Sequence, residues 1–304
     1  MTALIHPVRF GFQTPQQHGS WQEMVALWQE LDTLGFDSAW VFDHLLPIFS
    51  DPTGPCLEGW TALSALAMVT HNVRIGVMVT GNTYRHPAVL AKMATTLDII
   101  SKGRLILGLG AGWFALEHET FGIPFPSVTE RLQRLDEALT VIGRLWREDR
   151  VTFAGRYYQL SEARLNPRPI QQPHPPLLVG ASGEQVALRI VAQHADIWNA
   201  FGSPEVFRHK IAILTEHCHT IGRDPETIEK SVLLQLTLTD DAEAKRRALE
   251  NESWGMLAGT STEIREQIEQ YVAVGVTHFV ISLAAPYDMT TLRRFAAEVI
   301  PAFR

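Results

Sequence analysis

Short apolar runs alternate with longer stretches of helical periodicity along the whole chain. The runs are RFGFQ (9–13), SAWVFD (38–43), VRIGVMV (73–79), RLILGLG (104–110), PLLVGA (176–181), ADIWN (195–199), VLLQLTL (232–238) and HFVISLA (278–284). Most are continuous, without strict alternation of apolar and polar positions, which suits strands covered on both faces, as in a parallel sheet. The stretches between them carry helix-start signals. Ser20 and Glu23 have capping-box spacing, and Trp21, Met24, Val25, Trp28 and Leu31 then recur at helical intervals toward Gly35. Ser127 with Glu130, Asp240 with Glu243 and Thr260 with Glu263 repeat that spacing. Pro87 and Pro204 fall where a first helical residue would, a place that tolerates Pro because its N–H would be unpaired anyway. Strands with intervening helices predict a (β/α)8 barrel, an α/β fold.

The rhythm breaks between the fourth and fifth units. After a helix predicted over 129–147, VTFAGRYYQL (151–160) reads as a small hairpin turned at Ala154 and Gly155. NPRPIQQPHPP (166–176) is then a proline-dense connector that leads straight into the next strand. This reads as an excursion within one barrel, so residues 1–304 are expected to form a single domain.

Composition narrows the function classes. A chain of 304 residues, 46% hydrophobic and 19% charged, is long and apolar enough for one barrel with a sizeable core. The net charge of −7 comes without a basic cluster, so no nucleic-acid partner is expected. Cys56 and Cys218 are too few for a disulfide framework or a four-thiolate zinc site. The start, MTALIHPVRFGF, lacks a basic segment followed by an apolar run, and no apolar stretch reaches the roughly 18 residues of a membrane span. A cytoplasmic protein without membrane contact is expected. The oligomeric state stays open, a homodimer included.

The candidate chemistry sits at strand ends. SAWVFDH (38–44) closes an apolar run with a carboxylate and an imidazole side by side. In alternating β/α folds, reactive groups collect at the carboxyl ends of strands, where Asp43 and His44 fall. GLGAG (108–112) also follows a strand, but a dinucleotide loop needs GxGxxG opening a helix. The next segment, WFALEHETFGIPFP, reads as a loop with two prolines. A glycine-lined strand end admitting a flat ligand, Gly112 among its contacts, fits better. Gly180, Ala181, Ser182 and Gly183 lie between a strand and a helix, where free N–H groups and a small hydroxyl suit an anion. A tight turn without a ligand is the plain alternative. His217 and His219 form HxH on a predicted helix, where a spacing of two points the rings apart, so no metal site is expected.

Five segments carry a family resemblance: VTGNTYRHPAVLAK (79–92), GRLILGLGAGW (103–113), RLDEALTVIGRLW (134–146), LLVGASG (177–183) and HADIWN (194–199). In this order the chain resembles the bacterial luciferase-like superfamily of flavin-type oxidoreductases, most of all its branch using the deazaflavin coenzyme F420. The resemblance implies a (β/α)8 barrel with the coenzyme ring deep in the mouth. It implies Asp43 and His44 beside that ring, with His44 as acid/base; imidazole as a side chain type exchanges protons near neutrality. It implies a bulge with a cis non-proline peptide near Met78 and Val79, followed by Thr80, Gly81 and Asn82. The coenzyme phosphate would lie on Gly180–Gly183, and Asn199 would face the coenzyme tail. Each has a plain reading as well: a structural histidine, a loop cap at Asp43, strand core at Met78 and Val79, a strand cap at Asn199.

One departure bears on substrate. Sugar-phosphate dehydrogenases of that branch carry a glutamate just after the glycines of the fourth strand, and Trp113 stands there in this chain. An indole cannot transfer a proton in this role, so Trp113 reads as a wall of the substrate pocket or as packing. Glu117 and Glu119 lie a turn further on, where their reach is in question. The resemblance therefore implies an F420-dependent oxidoreductase moving hydride to or from a small organic substrate. The alternatives are an FMN-dependent monooxygenase using molecular oxygen, and a coenzyme-free barrel serving as an interaction protein. An F420 tail would call for cationic or amide groups at the rim, with Arg85, His86 and Arg168 as candidates.

Overall fold

The computed structural model describes residues 6–250, 255–283 and 285–304. The first five residues of the chain start, and Ala284 at the end of the last predicted strand, lie outside the described residues. Twelve strands are present among them: β1 Arg9–Gln13, β2 Ser38–Val41, β3 Arg74–Val77, β4 Thr80–Gly81, β5 Leu105–Gly110, β6 Val151–Ala154, β7 Gln159–Ala163, β8 Leu177–Gly180, β9 Ile197–Ala200, β10 Glu229–Leu238, β11 Met256–Gly259 and β12 His278–Ser282. Strands β1, β2, β3, β5, β8, β9, β10 and β12 pair in parallel in that order, and β12 returns to β1, closing a barrel. These are the eight apolar runs of the sequence. Strand β4 resumes the third strand after a break and pairs with β5. Strand β11 is an addition: the carboxyl half of β10 runs beyond β12 and pairs with it.

The helices are α1 Trp21–Leu31, α2 Gly59–Leu66, α3 Pro87–Ile100, α4 Ala115–Phe121, α5 Val128–Arg147, α6 Ala187–His194, α7 Pro204–Thr220, α8 Ala242–Leu249, α9 Ser261–Val272 and α10 Met289–Glu298. Capping boxes close at Ser20–Glu23 and Thr260–Glu263, each hydroxyl accepting from the third helical N–H and each carboxylate answering the cap N–H. Ser127 caps α5 through the Glu130 N–H. The cap of α8 is Asp241, one residue past the expected Asp240, whose carboxylate pairs instead with Arg294. The segment read as a loop after Trp113 contains α4. Its prolines come only after Gly122, whose φ of 66° ends the helix in the left-handed region.

Side chains alternate across each strand. Outward residues such as Phe10 and Phe12 pack under the helices in the main core. Inward residues Trp40, Met78, Ile106, Leu178, Ile197 and Val280 fill the barrel axis. Trp40 needs a gap on the adjacent strand: a Cβ at Gly76, its register partner on β3, would lie 2.4 Å from its Cζ3. The axis is thus packed, and an opening exists only at the ends.

The excursion follows α5. Strands β6 and β7 form an antiparallel hairpin whose turn closes with Gly155 N–H donating to the Tyr158 carbonyl. The Glu137 carboxylate on α5 gathers the N–H groups of Arg156, Tyr157 and Tyr158 at 2.8, 2.9 and 3.2 Å. That grip carries Tyr158 to the barrel mouth. In a β/α chain each helix begins at the carboxyl end of its strand, so helix starts ring the mouth and helix ends ring the opposite face.

Candidate active site

His44 lies three residues past the end of β2, and Glu117 lies on α4. His44 Nδ1 is 2.8 Å from Glu117 Oε1, while the Leu45 N–H donates to Oε2 at 2.7 Å and the Tyr84 hydroxyl donates to Oε1. Burial works to raise the Glu117 carboxyl, but His44, Tyr84 and the Leu45 N–H outweigh it and hold it below its ordinary range. Burial, then Glu117 itself, raises the Tyr84 phenol, which stays a donor. An ionised carboxylate offers only acceptors, so the hydrogen between the two side chains belongs to His44 Nδ1. Nε2 is then the lone-pair nitrogen of the neutral ring, and it makes no hydrogen bond among the described residues. The pair can take a proton at Nε2 while the carboxylate steadies the charged ring, the logic of an imidazole oriented by an acid. The doubt over the reach of Glu117 is thereby corrected: it lies in the first turn of α4 and touches His44. Phe42, Trp113 and Phe114 surround the imidazole edge-on at 5.1, 5.5 and 5.7 Å between ring centres.

The loop bearing His44 is held from below. The Gln16 amide accepts from the Phe42 N–H at 3.0 Å and donates to the Phe42 carbonyl at 2.6 Å. Gln17 does the same at Ile48, at 2.8 and 3.1 Å. Asp43 is buried and turned away from His44 toward Arg85, which reaches both carboxylate oxygens at 2.6 and 3.0 Å. The Gly81 N–H adds a bond at 3.1 Å, and Arg85 extends to Glu58 at 2.7 Å. Burial pushes the Asp43 carboxyl up against the opposing pull of Arg85 and Gly81. Burial also works to lower the Arg85 guanidinium, but Asp43 and Glu58 hold it above its ordinary value. Cys56 beside this loop is no nucleophile, because burial and then Glu117 push its thiol up to about 12.

Between β3 and β4 the Met78–Val79 peptide is cis. The Met78 side chain joins the barrel axis, and its carbonyl accepts from Gln13 Nε2 at 2.8 Å. Val79 is half-buried, and added Cβ atoms at Gly110 and Gly180 would lie 2.7 and 3.1 Å from it. A Cβ at Gly108 would lie 2.1 Å from the Val77 carbonyl oxygen. The flat-ligand reading of these glycines is corrected: they make room for the neighbouring strand and for Val79. Gly112 has φ 80°, with Thr83 Oγ1 only 2.8 Å from where its Cβ would be. The Thr80 hydroxyl is buried and accepts from Trp60 Nε1 at 3.1 Å. Asn82 donates to the Tyr158 hydroxyl at 3.2 Å, and its buried Oδ1 has no partner.

Gly180–Gly183 lie at the mouth, but the helix begins only at Ala187, with Val186 as an N-cap that makes no side-chain bond. The expected helix-start site is corrected to an open turn before the helix. Ala181 N–H is spent on the Asn199 carbonyl at 3.1 Å, whereas the N–H groups of Ser182, Gly183 and Glu184 meet no acceptor among the described residues. Lys210 Nζ on α7 bonds the Ser182 carbonyl at 2.6 Å and pairs with the Glu184 carboxylate at 3.3 Å, contacts that the sequence reading had not picked out. Asn199 points its amide to Ser231 Oγ at 3.0 Å, inside the barrel. An unpartnered acceptor at Asn82 and three free N–H groups at Ser182–Glu184 fit a ligand carrying an N–H donor and an anionic group.

Other candidates fall elsewhere. Arg168 caps the carbonyls of Leu145 and Glu148 at the end of α5, so it belongs to the face opposite the mouth and is withdrawn as a rim cation. Arg85 is at the mouth but committed to carboxylates, and His86 caps α3 through its Nδ1 at 3.2 Å. His217 bonds the Glu184 carbonyl at 2.8 Å. Among the described residues no group of His, Cys, Asp and Glu is placed to hold a metal ion, and no helix is long and apolar enough to cross a membrane. Gln16, Gln17, Tyr84 and Lys210 escaped the sequence reading, which named Glu117 only as a residue whose reach was in question.

Known proteins resemble this chain in sequence and in fold. A family described as luciferase-like monooxygenase matches residues 3–256. The F420-dependent glucose-6-phosphate dehydrogenase of Microbacterium testaceum (strain StLB037) is 29% identical over 337 aligned positions, covering 98% of each chain. The F420-dependent hydroxymycolic acid dehydrogenase of Mycobacterium tuberculosis (strain ATCC 25618 / H37Rv) is 33% identical over 237 positions, covering 78% of this chain and 64% of that protein. In fold, the chain matches an F420-dependent secondary alcohol dehydrogenase solved with an F420-acetone adduct, with a TM-score of 0.88 at 24% identity over 98% of this chain and 100% of that one. The chain belongs to the luciferase-like monooxygenase family.

Proposed function

We propose that the protein is an F420-dependent oxidoreductase that moves hydride between the coenzyme and a small organic substrate, with residues 1–304 acting as one domain. The observation that carries this reading is His44, whose Nδ1 is fixed by the ionised Glu117 and whose Nε2 is left open at the barrel mouth. Relatives named as F420-dependent dehydrogenases over nearly the full chain support the coenzyme choice.

A bound deazaflavin supplies a two-electron hydride acceptor or donor, and the protein supplies the rest. His44 Nε2 takes the hydroxyl proton of an alcohol, or returns it to a carbonyl. Glu117 keeps the ring in the one tautomer that can do so. Asp43, held by Arg85 and Gly81, fixes the β2 loop against β4, which makes it a positioning residue. Met78, Val79, Thr80 and Gly112 shape the floor and wall against the coenzyme ring, with Val79 nearest the opening. Asn82 Oδ1, buried without a partner, would accept an N–H from a bound ring. The N–H groups of Ser182 and Gly183 would hold the coenzyme phosphate, with Gly180 and Ala181 setting the turn and the Lys210–Glu184 pair behind it. Asn199 acts through Ser231 and the Ala181 N–H and has no direct contact in this scheme.

Two measurements test it. Titrated on one sample by fluorescence quenching, F420 is expected to bind at least tenfold more tightly than FMN. Tight FMN binding with no measurable F420 affinity overturns the coenzyme assignment and favours the monooxygenase reading. A Cβ at Gly183 meets only Ala187 Cβ, at 3.6 Å, and the residue has ordinary φ, so Gly183→Val should fold with an unchanged melting temperature. Its branched side chain crowds the three N–H groups, and affinity for the coenzyme should fall about tenfold or more. Unchanged affinity removes this turn from the site.

A further inference from the structure

Glu117 answers to more than His44. Its Oε1 meets two groups at once, His44 Nδ1 at 2.8 Å and the Tyr84 hydroxyl, while Oε2 takes the Leu45 N–H at 2.7 Å. The Leu45 donor belongs to the main chain, so Tyr84 is the side chain that shares the oxygen facing the imidazole. Its ring is held in place from three directions. The Tyr84 N–H closes a turn onto the Gly81 carbonyl at 3.1 Å. A Cβ at Gly81 would lie 2.5 Å from Tyr84 Cε2, so the ring occupies space that only a glycine leaves open. His118 stacks on it with 4.9 Å between centres and 26° between planes. The His118 ring is itself tied at both nitrogens, to the Thr83 hydroxyl at 2.7 Å and the Phe114 carbonyl at 2.8 Å.

The other ionisable groups near the imidazole are committed elsewhere or neutral. On the β2 loop Asp43 is held by Arg85 from the loop after β4, and so is Glu58 at the start of α2. Cys56 Sγ lies 3.6 Å from the His44 carbonyl, and its raised thiol carries no charge. Trp113 and Phe114 bring only apolar rings. Tyr84 is neutral too, since burial and then Glu117 push its phenol up. Among the described residues, Glu117 is therefore the charged group bonded to the imidazole, and the hold on a second ring proton is set at Oε1. A buried carboxylate serving one imidazolium alone grips it strongly. A second donor on the same oxygen stabilises the carboxylate in its own right and weakens that grip.

Resting on the reading of His44 as the acid/base group, we propose that Tyr84 is a positioning residue that loosens the grip of Glu117 on the charged imidazole, so that His44 both takes a proton and gives it back. Glu117 then fixes the tautomer without trapping the proton. Tyr84 keeps its own proton throughout and touches neither coenzyme nor substrate in this scheme.

Tyr84→Phe removes one oxygen and leaves the ring against Gly81 and His118, so the fold should persist. In the coenzyme-free protein, the His44 ring 15N resonances followed against pH should show the second proton held about tenfold more tightly in this variant, the scale of one charge-assisted hydrogen bond. Fluorotyrosine at position 84, a stronger donor of nearly the same shape, should move the midpoint the other way, by about twofold or more. A midpoint that stays or falls in Tyr84→Phe reduces Tyr84 to packing against His118 and overturns the inference. A midpoint that stays or rises with fluorotyrosine does the same, and that protein alone decides should Tyr84→Phe fail to fold. Fluorescence titration with F420 on the same samples reads the coenzyme separately. Both midpoint movements without F420 binding sink the coenzyme reading and leave the role of Tyr84 standing.

Discussion

His44→Ala should slow turnover by ~100-fold or more, the ordinary scale of general acid/base catalysis, while the F420 dissociation constant changes less than about threefold. The separation follows from geometry. His44 spends Nδ1 on Glu117 and presents Nε2 to the mouth, whereas the groups assigned to the coenzyme come from β4, the loop after it and the turn at Ser182–Gly183. The truncation should not unfold the loop, because Glu117 keeps the Leu45 N–H and the Tyr84 hydroxyl, and Gln16 keeps both backbone groups of Phe42. Steady-state kcat with the best alcohol found, alongside the quenching titration, checks it. Turnover near that of the unaltered protein would return His44 to a structural role.

Glu117→Gln should cost nearly as much, ~100-fold in kcat, although the change is one of a single oxygen to a nitrogen. If the new amide turns its NH2 toward His44, Nδ1 becomes the acceptor and the ring hydrogen moves to Nε2. The base is then capped by its own proton. KM should change little, since Glu117 touches neither coenzyme nor substrate in this scheme. The 15N resonances of the His44 ring read the tautomer directly: Nδ1-protonated in the unaltered protein, Nε2-protonated in the variant. An unchanged tautomer with unchanged kcat would show that Glu117 serves only to pin Leu45 and Tyr84.

How much of this was legible depends on how local each signal is. Strand β1 could be read to the residue, and the capping boxes at Ser20 and Thr260 were visible because three-residue spacing is itself the interaction. The hairpin at Val151–Ala163 followed from a turn signal between two short runs. Misreadings arose where a segment was judged by composition. Two prolines made 113–126 look like a loop, though both lie past the Gly122 stop and leave α4 intact. The glycines of β5 looked like room for a ligand, but the space is taken by Val77 and Val79 from the adjacent strand. Arg168 is no rim cation, because its height in the barrel is set by where α5 ends.

The sequence by itself determined the order of strands and helices, and with it the barrel and the appearance of Asp43, His44, Asn82 and Gly183 at one mouth. Those properties rest on periodicity and on handed β/α connections, which act over a few residues at a time and leave a pattern in the chain. Only the tertiary structure decided how each polar group spends its hydrogen bonds. His44 meets Glu117 across 73 positions, Asp43 meets Arg85 across 42, and Asn82 meets Tyr158 across 76. A hydrogen bond acts over about 3 Å and along a fixed direction, so no spacing in the sequence announces it. That Asp43 is clamped by an arginine while His44 beside it keeps an open nitrogen is a consequence of which helix starts, those of α3 and α4, arrive at the mouth.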